Sequence, residues 1–526
     1  MLHVGALAIG RRRFDQGGMS RARLPFLGLV LLVAVAAALR FWGIGSRALW
    51  LDESYSAWFA ALEWRALWLE TPRYEVHPPF FYSLLKLWIG LAEDGPAALR
   101  LPSALAGTAA VAVMALAGRE LARLAEFRPA WLPAAIAGAL AAFSSALLVP
   151  AQDARSYALL FLAVAIALLS WLRLGRDFRA APGAPGRAAS WLLLGAATAL
   201  TLWLHALGLL YAGALLVALL VLASDKASPA RWRRLGVTVA TTMLVYLPCL
   251  FMLAGRVGDW RTGWAHWNPG MFPRMFFQLY GVARIEESYT PLAAAALILL
   301  LSAAGLWALV RSGLPRLAIG FFLLMFLPPL AAALVSALGT PIFLPRTLIG
   351  LLAPAYLAAA FGLATLDRRA FAAAAAALAL VFGVNLGEAL ARPPYEPWDE
   401  VAETIRAGMR PGDEVWAYPN HFQLPLRAAL GPDASIVAVP APYPALEAEG
   451  VRQTGSPGVV TLTPEAAARW RAARRVPDQA TIWLVRRGHR IHDPTGAVFR
   501  IIAGGRRAET VREWRDLDVV ALRPPR

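Results

Sequence analysis

The sequence predicts a polytopic α-helical membrane protein with about eleven transmembrane helices, followed by a small C-terminal α/β domain. Three observations carry this prediction. Of the 526 residues, 58% are hydrophobic and 16% charged, whereas soluble domains carry about 25% charged residues. Apolar runs recur along the chain, most of them near the ~20 residues that cross a bilayer. From about residue 392 the apolar runs stop and a polar, Pro- and Arg-rich tail begins.

Residues 1–23 read as a cytoplasmic leader. Arg11–Arg13 are followed by Gln16, Gly17 and Gly18, not by an apolar core and a cleavage site, so no cleavable signal peptide is evident. Met1 and Met19 both remain open as the start. The apolar spans are 24–42, 98–118, 131–149, 157–172, 190–205, 208–223, 236–254, 291–310, 317–337, 347–365 and 370–390, with the break around His205–Gly208 the shortest.

Lys and Arg sort the connections between spans. Dense positive charge marks the leader and the loops holding Arg119–Arg128, Arg173–Arg187, Lys226–Arg234, Arg311–Arg316 and Arg368–Arg369, which are expected in the cytoplasm. The alternate connections, 43–97, 150–156, 206–207, 255–290 and 338–346, are sparser in Arg and richer in Trp, Tyr and Pro, and are expected outside together with the tail.

The unusual polar residues all fall on the outer set. The stretch Leu49–Phe59, LWLDESYSAWF, puts Asp52 and Glu53 side by side among aromatics soon after the first span. As helix neighbours they point about 100° apart, so one pocket faces only one of them squarely. An interfacial helix with its polar face in water accounts for this stretch equally well. His77-Pro78-Pro79 opens an aromatic helix at Phe80. An imidazole at such a helix start suits a phosphate oxygen, and equally a simple helix cap. In Gln152-Asp153-Ala154-Arg155, the two charges either form a site or cap the next span. Loop 255–290 interleaves Arg256, Arg261, Trp264 and His266, which fits an interfacial belt or a gate over a lipid phosphate. Arg346 opens a late span from the outer side.

In the tail, a helical pattern over Trp398–Met409 precedes strand-like runs Glu414–Tyr418, Ser435–Val439, Thr481–Val485 and Asp516–Leu522, with a helix near Pro464–Arg474. Alternation of this kind predicts a small α/β domain.

The ordered set WLDESYSAWFA, HPPFFYSLLKLW, ALRLPSALAG, QDARSYALL and PRTL resembles bacterial glycosyltransferases of the GT-C class. More narrowly, it resembles the superfamily of protein mannosyltransferases and aminoarabinose transferases (glycosyltransferase family 39) and its lipopolysaccharide-sugar branch. The resemblance covers about residues 24–391, and PWDEVAETIRAGMRPGDEVWAYP is similar to the outer-face domain that follows the last span in such proteins. The expected divisions are a leader (1–23), a membrane glycosyltransferase domain (24–391) and an extracytoplasmic α/β domain (392–526).

The resemblance implies transfer of a sugar from a polyprenyl-phosphate donor to an extracytoplasmic glycan, lipid or protein, at a bacterial-type inner membrane. It maps the first-loop acid onto Asp52 as general base, with Glu53 in support and Asp153 as the second-loop acid. His77, Lys86, Arg155 and Arg346 become donor-phosphate ligands; Thr347 stands after Arg346 where relatives usually have Tyr. No cofactor is firmly implied. A divalent metal stays open, although Val76 replaces the acid that some relatives use for one, and His266 has no identified co-ligand.

Other functions fit less well. The net charge of +17 is spread over inner loops and tail instead of forming one stripe, which argues against nucleic acid. Cys249 is the single cysteine, so no intramolecular disulfide and no Cys-based metal site forms. A transporter of lipid-linked sugars needs polar residues through mid-membrane helices, and these spans are mostly Ala, Leu and Val. A non-enzymatic envelope scaffold leaves the outer charge clusters unexplained.

Overall fold

The computed structural model describes residues 20–525, except 93–94, 182, 225–227, 255–267, 282–287, 340, 449–450 and 454–456. Arg256, Arg261, Trp264 and His266 therefore lie outside the described residues.

Every predicted span is helical. In chain order the helices are α1 (Ser20–Phe41), α2 (Leu51–Ala61), α3 (Phe80–Ile89), α4 (Pro96–Leu124), α5 (Trp131–Phe143), α6 (Ser145–Ala151), α7 (Tyr157–Ala180), α8 (Ala188–Leu204), α9 (Gly208–Ala223), α10 (Pro229–Ala254), α11 (Met271–Phe277), α12 (Thr290–Arg311), α13 (Pro315–Ala337), α14 (Leu352–Thr365) and α15 (Arg368–Ala391). Among the described residues, seven helical segments are long and apolar enough to cross a bilayer, and the bent pair α5–α6 makes an eighth; α8, α9 and the apolar part of α1 are shorter. The protein is a multi-pass membrane protein. The bundle is built around α14, whose residues Leu352–Ala364 are all buried.

The span predicted at 131–149 is broken. α5 and α6 meet at 57°, which frees backbone carbonyls where no water compensates them. Arg40 of α1 answers this: its guanidinium, 1% exposed, donates to the carbonyls of Ala141 (3.0 Å) and Ala142 (3.3 Å). Ser144 at the corner bonds the Tyr356 hydroxyl at 2.8 Å.

The tail forms α16 (Trp398–Gly408), α17 (Gln423–Leu430) and α18 (Pro464–Ala473) with strands β1 (Glu414–Tyr418), β2 (Ile436–Ala438), β3 (Val451–Gln453), β4 (Val460–Leu462), β5 (Ile482–Arg487), β6 (Arg507–Trp514) and β7 (Leu517–Arg523). The five-stranded sheet runs β2-β1-β5-β7-β6. β1 is parallel to β2 and β5, and β7 is antiparallel to β5 and β6. Its two faces carry separate cores. One packs Trp416, Ile482 and Leu484 against α18; the other packs Val415, Trp483 and Val519 against α16. The second core also takes in Ala48 and Leu51 from the stretch that follows α1, so the sheet domain sits on the start of α2.

Candidate active site at one end of the bundle

α2 begins where a carboxylate favours it: Asp52 and Glu53 occupy its first turn, where the helix dipole attracts negative charge. Their fates then diverge. Glu53 is 0% exposed. It holds the Arg100 guanidinium in a two-point pair (2.7 Å to Nε, 2.6 Å to NH2) and accepts the Ala154 N–H (2.9 Å) and its own helix-capping Trp50 N–H (3.3 Å). Arg100 also donates to the carbonyls of Ile44, Arg47 and Ala48. Glu53 thus has no face left for a substrate; it clamps α2 to α4 and to the loop after α6.

Asp52 faces the other way, with its side chain 20% exposed, and forms an ion pair with Arg346 at 3.3 Å. Arg346 lies in a 3-10 turn, Pro345–Leu351, that leads into α14. Arg155 is 8% exposed and donates to the Asp52 carbonyl at 3.3 Å and to Ser56 Oγ at 3.5 Å. Its own carbonyl is tied to Ser103 Oγ. Asp153 stands beside this group. Burial, then the negative charge of Glu53, pushes its carboxyl up to about 7. The loop is held from below by Gln152, whose amide reaches the carbonyls of Leu39 and Trp42. Asp52, Asp153, Arg155 and Arg346, from three distant parts of the chain, therefore converge at one end of the bundle.

His77 joins them from the loop before α3. Its ring lies 4.5 Å from that of His205, and Arg155 and Arg346 are the nearby cations acting on it. Lys86 is not brought in. Its ammonium donates to the Ala60 carbonyl at 3.3 Å and lies over the Trp64 ring, because about two turns along α3 carry it to the far end of α2.

Several members are missing from the sequence reading. Glu75 lies two residues before His77, accepts the His77 N–H at 2.8 Å, and has its carboxyl pushed up by burial against the pull of Arg155. Position 76, where an acid is sought, holds Val76; the nearby acid is one residue earlier. Arg100 stands within the ALRLPSALAG motif but carries no sign of its partner. Among the described residues, no group of three or more His, Cys, Asp or Glu side chains is arranged to hold a metal ion.

The sheet domain closes the site from above. Tyr443 meets Tyr55 edge-on at 5.0 Å and Trp58 at 5.3 Å, and the His421 ring lies parallel to Tyr55 at 6.3 Å. Glu396, 3% exposed, accepts the Leu51 N–H at 2.8 Å and the Trp398 indole at 2.7 Å, and pairs with Arg487 of β5 at 2.9 Å. It therefore caps the helix that carries Asp52.

Below the charges lies an apolar cavity between α7, α8, α9, α13 and α14, lined by residues including Val164, Leu168, Leu215, Leu324 and Pro354. Tyr211, also in its wall, donates to the Thr347 carbonyl (2.8 Å) and accepts the Gly350 N–H (3.1 Å). The cavity thus reaches the turn that carries Arg346.

No protein-family model and no curated protein sequence matches the chain. Solved structures do. ArnT from Cupriavidus metallidurans bound to undecaprenyl phosphate superposes with a TM-score of 0.55 at 16% identity, over 94% of this chain and 99% of that one. The Archaeoglobus fulgidus oligosaccharyltransferase in the apo form gives 0.58 at 11% identity, over 93% and 73%. The same archaeal enzyme, AglB, in complex with an inhibitory peptide and a dolichol-phosphate gives 0.51 at 13% identity, over 80% and 65%. The chain has the GT-C fold that these proteins share.

Proposed function

We propose that this protein is a membrane glycosyltransferase that moves a sugar from a polyprenyl-phosphate donor to an acceptor hydroxyl at the outer face of a bacterial cytoplasmic membrane. In this reading residues 1–23 and the N-terminus are cytoplasmic, 24–391 form the transferase domain, and 392–526 lie outside. One observation carries it: a partly exposed carboxylate, Asp52, sits against the exposed Arg346 guanidinium, and the turn bearing Arg346 adjoins an apolar cavity inside the bundle. That pairing of a phosphate-binding cation with an apolar channel suits a lipid phosphate. Two of the neighbours of this fold were solved with undecaprenyl phosphate and dolichol-phosphate.

The chemistry follows from the charges. The acceptor oxygen attacks the anomeric carbon and forms the new C–O bond, the bond to the phosphate oxygen breaks, and the polyprenyl phosphate leaves with the electron pair. Arg346 and Arg155 stabilise the departing phosphate. The acceptor proton passes to Asp52, a step that contributes typically about 10²–10⁴-fold. Arg346 serves both ends: in drawing toward the phosphate it releases Asp52 to act as base. Glu53 positions, and Asp153 tunes the field around Arg346.

The test is incubation of the purified protein with a radiolabelled polyprenyl-phosphate sugar and envelope glycolipid acceptors. Covalent transfer that is lost in Asp52→Asn is the expected result. Movement of label across a vesicle without covalent transfer overturns the reading in favour of a transporter.

A further inference from the structure

Two histidine nitrogens beside the cationic cluster are buried without a hydrogen-bond partner: Nδ1 of His77 and Nε2 of His205. The two rings are neighbours, with centroids 4.5 Å apart and planes inclined by 54°. His205 is the break between α8 and α9 and is 1% exposed. Its Nδ1 accepts the backbone N–H of Leu207 at 3.0 Å. A neutral imidazole that accepts on one nitrogen carries its proton on the other. Because Nδ1 accepts, it carries no proton, so the ring is neutral and its proton is on Nε2. That N–H is a buried donor that lacks an acceptor. The nearest ring offers a buried nitrogen that lacks a donor.

We propose that His205 is a positioning residue that sets the tautomer of His77: its Nε2–H donates to His77 Nδ1, which leaves the His77 proton on Nε2, aimed at a phosphate oxygen of the polyprenyl-phosphate donor. The imidazole torsion is broad, and turning the His77 ring toward His205 Nε2 pairs both orphaned nitrogens while the Leu207 bond to His205 is kept. The chain of donors then runs from Leu207 N–H to His205, to His77, and on to the phosphate. Such outer partners fix the tautomer and direction of functional histidines in metal sites, and the same logic applies to a phosphate oxygen. The backbone of His77 is already anchored, by Glu75 on its N–H and by the two prolines that follow. Only the ring is left to be set.

This division of labour suits the site. Arg155 and Arg346 supply positive charge. Burial first, then the neighbouring His205 and the charges of Arg155 and Arg346, push the His77 imidazole down, so that it contributes a directed hydrogen bond instead of a third charge. His205, in a connection of three residues between two helices, then has a reason to be where it is.

The inference rests on the reading of the site as one for a polyprenyl phosphate. The experiment measures binding of undecaprenyl phosphate to the purified full chain in nanodiscs, for the wild type, His205→Asn, His205→Gln, His77→Ala and the double variant His77→Ala/His205→Asn. Asn keeps an acceptor for Leu207 N–H and lacks the distal donor, whereas the longer Gln carries an amide N–H near the position of Nε2. His205→Asn is expected to weaken binding about tenfold, the worth of one well-placed hydrogen bond. His205→Gln is expected to stay within about threefold of wild type. The double variant is expected to bind no more weakly than His77→Ala alone, because the effect of His205 passes through His77. Additive losses, wild-type binding by His205→Asn, or equal losses in Asn and Gln variants of wild-type thermal stability overturn the proposal while leaving the donor site intact. A wild-type protein that does not bind undecaprenyl phosphate overturns the reading of the site itself and this inference with it.

Discussion

Replacing Arg100 by methionine tests whether the acidic pair is split into a structural and a chemical half. Glu53 is fully buried and holds Arg100 through two bonds of 2.7 and 2.6 Å. Methionine fills similar volume and leaves the carboxylate with only the Ala154 and Trp50 N–H groups. Removing one partner of a buried pair costs about 3–5 kcal/mol, because the other charge is left uncompensated. The carbonyls of Ile44, Arg47 and Ala48 lose their donor as well, which puts the expected cost at the upper end of that range. Removing the stranded charge with Glu53→Gln should recover part of it, so the double variant is expected to be more stable than Arg100→Met alone. Thermal unfolding of the purified proteins in detergent, followed by size exclusion, measures both. A methionine variant as stable as the wild type, or a double variant less stable than the single, refutes the structural assignment of Glu53.

The chemical half is tested by Asp52→Asn, expected to lower transfer by about 10²–10⁴-fold with an unchanged unfolding temperature; full activity in that variant, measured as radiolabel transferred, removes the base from this position. Arg155→Ala is expected to raise the donor KM and lower turnover together, and identical kinetic constants would exclude a phosphate role. Glu396→Ala strips the Leu51 N–H of its acceptor and strands Arg487; loss of a helix cap costs about 0.5–2 kcal/mol, and turnover should fall because the base helix loosens, whereas Glu396→Gln keeps an acceptor oxygen and most of the activity. For Asp153 the sign is set by a folded-state carboxyl raised to about 7 from 3.8: its contribution to stability is present below 3.8 and is lost as pH rises toward and through 7. Asp153→Asn is therefore expected to gain unfolding temperature over the wild type progressively between pH 4 and 7, and a difference independent of pH refutes this.

Much of the fold was legible because lipid imposes a simple code: backbone groups must be satisfied inside each span, so spans are long, apolar and helical. All eleven apolar runs are helical, 131–149 as two helices and 347–365 beginning as a 3-10 turn. The break at Ser144 was not legible, because its compensation comes from Arg40, about one hundred residues away in sequence. In the tail, β1, β5 and β7 show as apolar runs that are buried on both faces. β6 does not, since residues Arg507–Glu513 are exposed on an edge strand and RAETVREW has no apolar alternation.

The site divides in the same manner. The sequence by itself determined that Asp52, His77, Asp153, Arg155 and Arg346 stand in the same alternate set of connections between apolar spans, since the loop arginines sort those connections and charge near an apolar span is expensive wherever it stands. Only the tertiary structure decided what each charge faces. It turned Asp52 toward Arg346 and Glu53 toward Arg100, put Glu75 beside His77, sent Lys86 to the Ala60 carbonyl, and set His205 against His77. These are pairings between residues from two to about three hundred positions apart, and whether a carboxylate is a base or a clamp depends on which guanidinium reaches it and whether water still does.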